Sequence, residues 1–117
     1  MNREEIILYV NDKYNTIPEY SWEKYPLYAV LKHRNNKWYG IIMNVTKDKL
    51  GLDGKDEVDI LDIKCPPDMI GGLRLSKGFF SAYHMNKEHW ITVLLDGSVE
   101  TEKIKQLIDL SYDLTKK

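Results

Sequence analysis

Cysteine is scarce in this sequence, and long apolar runs are missing from it. The one cysteine, Cys65, has no partner for an internal disulfide, which favours the reducing cytoplasm over secretion. No run approaches the roughly 20 apolar residues of a membrane span, and the chain starts with an acidic helical pattern in place of a signal peptide. We therefore expect a cytoplasmic protein without a membrane partner.

Net positive charge and the motifs of familiar chemistry are also lacking. The net charge of −1 argues against a protein that wraps a polyanion. The sequence contains no G-x-S-x-G nucleophile elbow and no H-E-x-x-H zinc motif. The segment GLDGK at 51–55 is too short for a phosphate-binding loop and has no hydroxyl residue after its lysine. These absences predict a non-enzymatic protein without a cofactor.

Candidate metal ligands are present but few. His84 and His89 could converge on one face of a sheet, but two imidazoles do not complete a zinc site. Cys65 or His33 would have to join them through folding. The acidic residues between 53 and 62 do not match the positions of a calcium loop, so we interpret them as a solvated turn and strand edge and expect no metal site. These acids are Asp53, Asp56, Glu57, Asp59 and Asp62.

The secondary-structure pattern is that of one globular domain, residues 1–117, with ordinary fractions of apolar and charged residues. Apolar residues at helical spacing predict a helix over 2–14 and a closing helix over about 99–115. The segment VDILDIKC at 58–65 predicts a strand, and a short helix follows from Pro67.

Two hairpins are predicted on either side of that strand. YAVLKHR and KWYGIIMNV flank Asn35-Asn36, while GFFSAYHM and EHWITVLL flank Asn86-Lys87. Adjacent hairpins without strand–helix alternation indicate the α+β class. We expect an antiparallel β-sheet built from two hairpins and a middle strand, with the N- and C-terminal helices packed on it.

Two-residue turns would determine the register of both hairpins. The predicted pairs of the first are Ala29–Ile42, Val30–Ile41, Leu31–Gly40 and Lys32–Tyr39. Lys32, Arg34 and Lys37 then share one face with Tyr39. The predicted pairs of the second are Ala82–Ile91, His84–His89 and, on the opposite face, Tyr83–Trp90.

The cationic face of the first hairpin suggests DNA as a partner. Residues 24–49 carry a charge of +5, and residues 50–62 carry −4. A two-stranded ribbon fits the major groove, where cations meet phosphates and Asn or Arg reads base edges. Hairpin tips are also commonly charged for solubility alone. The candidate DNA-binding residues are Lys32, Arg34, Lys37, Tyr39, Arg74, Lys77, His84, Asn86 and Lys87.

A second hypothesis uses the aromatic residues of the sheet. If Tyr83, Trp90 and Trp38 lie on an exposed sheet face, they would anchor a protein partner or a small ligand. A metal-binding protein that uses His84 and His89 is a third and weaker alternative. In each case we expect a monomer.

Long stretches of the chain resemble the MmcQ/YjbR family of small bacterial proteins. The clearest is GFFSAYHMNKEHWITVLLDGSV at 78–99. The resemblance extends over PEYSWEKYPLYAVLKHRNNKWYGIIMNV (18–45), LGLDG (50–54), VDILDIKC (58–65) and IKQLIDLSYDL (104–114). The shared motif residues include Tyr83, His84, Asn86, Lys87, His89 and Trp90, with Trp38 and Tyr39 in the first hairpin.

The resemblance implies a fold related to the CyaY-like group, with a double-wing arrangement of hairpins and helices. It also implies DNA binding, and it carries over no catalytic residues. The CyaY-like relationship raises iron binding as well. However, only Glu4, Glu5 and Asp12 supply acids on the first helix, which weakens that option.

Overall fold

Three α-helices and a five-stranded sheet make up the computed structural model, which describes all 117 residues. In chain order the elements are α1 (Arg3–Tyr14), β1 (Ala29–Lys32), β2 (Trp38–Thr46), a 3-10 helix (Lys47–Leu50), β3 (Glu57–Lys64), α2 (Pro67–Leu73), β4 (Phe79–Ser81), β5 (Trp90–Leu94) and α3 (Thr101–Thr115). The strand order is β1-β2-β3-β5-β4, and all neighbouring strands are antiparallel. The predicted α+β class is therefore confirmed. None of the helices has both the length and the apolar character needed to cross a membrane.

The two long helices cover one face of the sheet, which we call the helix face. α1 begins at a capping box, in which Asn2 and Glu5 satisfy each other's backbone N–H groups, and its buried stripe includes Ile6 and Val10. α3 buries Ile104 and Ile108 in the same core. Apolar residues at helical spacing thus form the stripes that the sequence predicted.

The opposite face of the sheet, which we call the loop face, holds a second apolar cluster. Ile41, Met43 and Ile60 are buried there, and partly buried Leu52 and Tyr83 pack against them from the flanking loops. Alternation along the strands therefore sends side chains into two cores. Because no helix covers the loop face, its burial depends on the loops 15–28, 47–56 and 82–89.

The β1–β2 pairing follows the prediction over three pairs and then departs from it. Ala29–Ile42, Val30–Ile41 and Leu31–Gly40 are confirmed. Lys32 lies opposite Trp38, not Tyr39, because a bulge interrupts the register after Leu31. The turn has three residues, 34–36: His33 N–H donates to the Lys37 carbonyl at 2.8 Å, and Asn36 adopts a left-handed φ of 69°.

The β4–β5 pairing is shifted by one residue from the prediction. The observed pairs are Phe79–Val93, Phe80–Thr92 and Ser81–Ile91. The predicted pairs Ala82–Ile91, His84–His89 and Tyr83–Trp90 are therefore wrong, since a shift of one residue exchanges the faces. Residues 82–89 form a loop in which His84 has a left-handed φ of 61°, and the Asn86 side chain accepts the backbone N–H groups of Glu88 and His89.

Candidate functional site

Both hairpin connections lie at the same end of the sheet, which we call the tip end. β1, β3 and β4 finish there, and β2 and β5 begin there. The turn 33–37 and the loop 82–89 are therefore neighbours. Arg74 and Lys77 lie at the opposite end, because the adjacent Gly78 accepts a hydrogen bond from the far end of β5, at Leu94. The structure thus divides the predicted cations into two separate groups.

Three lysines and two tryptophans surround a cleft at the tip end, which we call the lysine cleft. It has a volume of about 360 Å³. Its lining residues are Lys37, Trp38, Lys64, Met85, Trp90, Leu114, Thr115 and Lys117. Trp90 is buried and Trp38 is half-buried, so the Trp38 ring is the more accessible of the two. Lys64 and Lys117 were not among the predicted site residues, since only folding brings them to the turn.

A polar cleft of about 330 Å³ lies on the other side of the turn, against the ends of α1 and α3. Lys32, Arg34 and Lys116 line it. Lys32 is paired with Glu19 at 3.0 Å, and Lys116 approaches Asp113 at 3.5 Å. These two charges are partly neutralised within the protein, whereas Arg34 is exposed and makes no ion pair.

His33 and Tyr39 support the turn from inside. His33 Nε2 lies 2.8 Å from the Thr115 hydroxyl, and burial lowers the pKa of the His33 imidazole. Tyr39 is fully buried on the helix face and its hydroxyl is bonded to that of Thr16. The prediction that Tyr39 shares an exposed face with the cations is wrong, because the bulge turns its side chain into the core.

The remaining predicted residues of the loop 82–89 have defined local roles. Lys87 Nζ donates to the Ala82 carbonyl at 2.7 Å, and Asn86 closes the turn through its side chain. His84 is exposed and its ring lies 4.0 Å from that of Tyr83. These contacts shape the loop and leave the Lys87 side chain exposed at the tip end.

An aromatic cleft of about 290 Å³ opens on the loop face. Its lining residues are Trp22, Tyr25, Tyr28, Trp38, Ile41, Met43, His84 and Met85. The predicted grouping of Tyr83, Trp90 and Trp38 is not formed as a single surface, since Trp38 and Trp90 line the lysine cleft, whereas Tyr83 lines a separate cleft of about 410 Å³ with Phe80. Trp38 and Met85 line both the aromatic and the lysine cleft.

A buried carboxyl group lies in the middle of the loop face. Asp62 is fully buried on the central strand β3, where it is paired with Ile41 on one side and Thr92 on the other. Thr92 donates its hydroxyl proton to Asp62 Oδ1, while Oδ2 has no hydrogen-bond partner. Burial raises the pKa of Asp62 to about 7.

The burial of Asp62 shows that the interpretation of the acidic residues between 53 and 62 as a solvated turn and strand edge is wrong for this residue. β3 is the central strand, and Asp59 also departs from that interpretation by pairing with Arg3 at 3.1 Å. The sequence signal that could have revealed Asp62 is its position between the apolar residues Leu61 and Ile63, two residues after Ile60 and so on the same face of the strand as Ile60.

Metal ligands do not converge in this structure. No group of three or more His, Cys, Asp or Glu side chains is placed to hold a metal ion. Cys65 is buried, and burial raises the pKa of its thiol to about 11. The thiol is therefore protonated at neutral pH, which is unfavourable for a nucleophile or a metal ligand.

Known proteins share this architecture over most of the chain. The YjbR family model matches residues 11–114. The uncharacterized protein YyaQ of Bacillus subtilis is 50% identical over 117 residues, which is 99% of each chain. A crystal structure of a Pseudomonas syringae protein has a TM-score of 0.96 at 47% identity and covers 98% of this chain and 99% of that chain. A crystal structure of a Deinococcus radiodurans protein is similar in fold alone. It has a TM-score of 0.73 at 23% identity and covers 97% of this chain and 78% of that chain.

Proposed function

From the premise that the chain belongs to the YjbR family, we propose that it is a non-enzymatic, cytoplasmic DNA-binding protein that acts as a monomer without a cofactor. Its contacts with DNA lie at the tip end of the sheet, where the turn 33–37 and the loop 82–89 form the two wings. The observation that carries this proposal is the lysine cleft, in which three lysines surround the accessible Trp38.

The charges of the tip end favour a phosphate backbone. Cations that bind DNA must be free of internal ion pairs, because an existing ion pair has to be broken before a phosphate can replace it. Five cations at the tip end make no ion pair within the protein. They are Arg34, Lys37, Lys64, Lys87 and Lys117. This set corresponds to about five phosphate contacts.

Trp38 adds an aromatic ring to the cations of the proposed DNA interface. An aromatic face beside cations is the arrangement that proteins use to stack an unpaired base while the phosphates are neutralised. Trp38 lines the lysine cleft together with Lys37, which precedes it in the turn, and Met85, from the second wing. Arg74 and Lys77 are removed from the proposed interface, since they lie at the other end of the sheet.

Fluorescence anisotropy with a labelled 20-base-pair duplex, measured across a salt series, tests the proposal. About five phosphate contacts predict a slope of roughly −4 to −5 in a plot of log K against log salt. The same titration with a single strand of equal length measures the contribution of stacking on Trp38. Absence of binding to both DNAs even at low salt would contradict DNA binding.

A pair of variants locates the interface. Combining Lys37→Ala, Lys64→Ala and Lys117→Ala removes three proposed contacts and should make the slope shallower by about three. The matched control combines Arg74→Ala with Lys77→Ala, which removes exposed cations from the opposite end and should leave the slope unchanged. An equal loss in both variants would show that the affinity comes from general charge and not from the tip end.

A further inference from the structure

The aromatic cleft shares Trp38 and Met85 with the lysine cleft, but the ligand proposed for it does not require that the protein binds DNA. We propose that this cleft binds a small organic cation of the alkylammonium class, held by the rings of Trp22, Tyr28 and Trp38, with Asp62 as the buried counter-charge. The cleft is open to solvent on the loop face, and its volume of about 290 Å³ lies at the lower end of the range for small-molecule sites.

The ring geometry is that of an aromatic cage. The rings of Trp22 and Trp38 are nearly perpendicular, at 86°, with centroids 6.0 Å apart. Trp22 and Tyr28 are also close to perpendicular, at 72° and 5.9 Å. Perpendicular rings place faces on adjacent sides of one volume, and a cation within about 6 Å of several faces is attracted by each ring quadrupole. Tyr25, which also lines the cleft, stacks on Tyr28 at 4.7 Å and extends that wall.

Two of the aromatic residues that line the cleft remain partly exposed, although such rings are normally buried, whereas Tyr28 is buried. Trp22 is 36% exposed and Tyr25 is 51% exposed. Leaving large aromatic surfaces in water forgoes the stabilisation that their burial would supply. A ligand in the cleft would cover part of this surface. The exposure is therefore consistent with a site that is completed by binding.

Asp62 is the reason why the aromatic cleft would prefer a cation to a neutral ligand. Asp62 lies behind the lining of the cleft: Ile41 lines the cleft and is the strand partner of Asp62, and such partners have Cβ atoms about 4.5–5.5 Å apart. The carboxyl group makes no ion pair: the charge of Lys87 acts on it, but the Lys87 ammonium donates its hydrogen bond to the Ala82 carbonyl. In a water-excluded core its field extends into the cleft with little screening. A cation in the cleft would supply the opposite charge that Asp62 lacks.

Calorimetry with choline and its neutral carbon isostere, 3,3-dimethylbutan-1-ol, tests the proposal at pH 8.5, where Asp62 is ionised. The two probes have the same shape and differ in charge, so the cage and Asp62 together predict at least about tenfold tighter binding of choline. Equal affinity for the two probes would overturn the charge preference. Absence of binding by either at millimolar concentration would overturn the site itself.

Variants separate the roles of the cage and the carboxylate. Asp62→Asn keeps the shape and should weaken choline about fivefold or more without changing the affinity for the alcohol. Trp22→Leu removes one wall and should weaken choline by a similar factor, while Tyr20→Leu, an exposed ring of the same loop outside the cleft, should not. Unchanged choline binding in Asp62→Asn would remove Asp62 from the site. Circular dichroism confirms that each variant is folded.

Discussion

Replacing Asp62 by asparagine should stabilise the protein at alkaline pH. Asp62 is fully buried, and its pKa is raised from 3.8 to about 7 because the carboxylate loses water and gains one hydroxyl donor only. The folded protein therefore keeps the proton between about pH 4 and 7, while the unfolded chain releases it. The contribution of Asp62 to stability is fully present below pH 4 and is lost as pH rises through 7.

The magnitude follows from the size of the pKa shift. About three pKa units at roughly 1.4 kcal/mol each amount to about 4 kcal/mol of lost stability above pH 8. Asparagine is neutral at all pH values, and its Oδ1 still accepts the Thr92 hydroxyl. The stability of Asp62→Asn relative to wild type should therefore increase by about 3 kcal/mol between pH 4.5 and 8.5. For a chain of this length that is roughly 12 °C in Tm.

Urea unfolding followed by circular dichroism at the two pH values measures this difference. Asp53→Asn, which removes a carboxyl group from an exposed turn, is the matched control and should show no such pH dependence. A difference between Asp62→Asn and wild type that does not change with pH would refute the reasoning, as would a variant that is less stable at pH 8.5. Either result would mean that the buried carboxylate has a stabilising partner.

Two further substitutions test the supports of the fold. Tyr39→Phe removes the hydroxyl bonded to Thr16 and should lower the free energy of unfolding, measured in urea, by about 1 kcal/mol. The salt slope of DNA binding should not change, and a changed slope would place Tyr39 in the interface. Asp109 accepts hydrogen bonds from the hydroxyls of Tyr9 and Tyr14, at 2.8 and 2.6 Å, and so holds α1 against α3. Asp109→Asn weakens this acceptor and should lower the free energy of unfolding by about 1–2 kcal/mol. An unchanged stability would show that water replaces these hydrogen bonds.

Local patterns were sufficient to predict the elements of the fold. Helical spacing of apolar residues located α1 and α3 to within about two residues, since both helices bury an apolar stripe and α1 also starts at a capping box. The first three pairs of β1–β2 were also predictable. A slip of one residue would expose Leu31 or Ile42, which are both fully buried.

Single-residue irregularities account for the errors at the two wings. The left-handed Asn36 makes a three-residue turn and a bulge, which moves Tyr39 to the core. The left-handed His84 ends β4 early, so the pairing with β5 slips by one residue. Asparagine and histidine tolerate a left-handed backbone, but no sequence pattern marks the positions where they adopt it. The packing around the residue decides whether its backbone is left-handed.

The candidate sites depend on contacts between distant parts of the chain. Arg34, Lys37 and Lys87 were predictable as exposed tip residues, but Lys64 and Lys117 join Lys37 at the lysine cleft only through the packing of β3 and α3. Burial of Asp62 likewise depends on the covering of the loop face, which strand periodicity does not reveal. Sequence patterns therefore predicted the two wings, but they did not predict the lysine cleft or the aromatic cleft.

Titration of an unlabelled DNA duplex into the ¹⁵N-labelled protein, followed by backbone amide chemical shifts, tests the tip end most directly as the DNA-binding surface. The account predicts salt-dependent shifts at residues 33–38, at Lys64, in the loop 82–89 and at the end of α3. It predicts none around Arg74 and Lys77. Shifts centred on Arg74 and Lys77, or none at any residue at low salt, would contradict it.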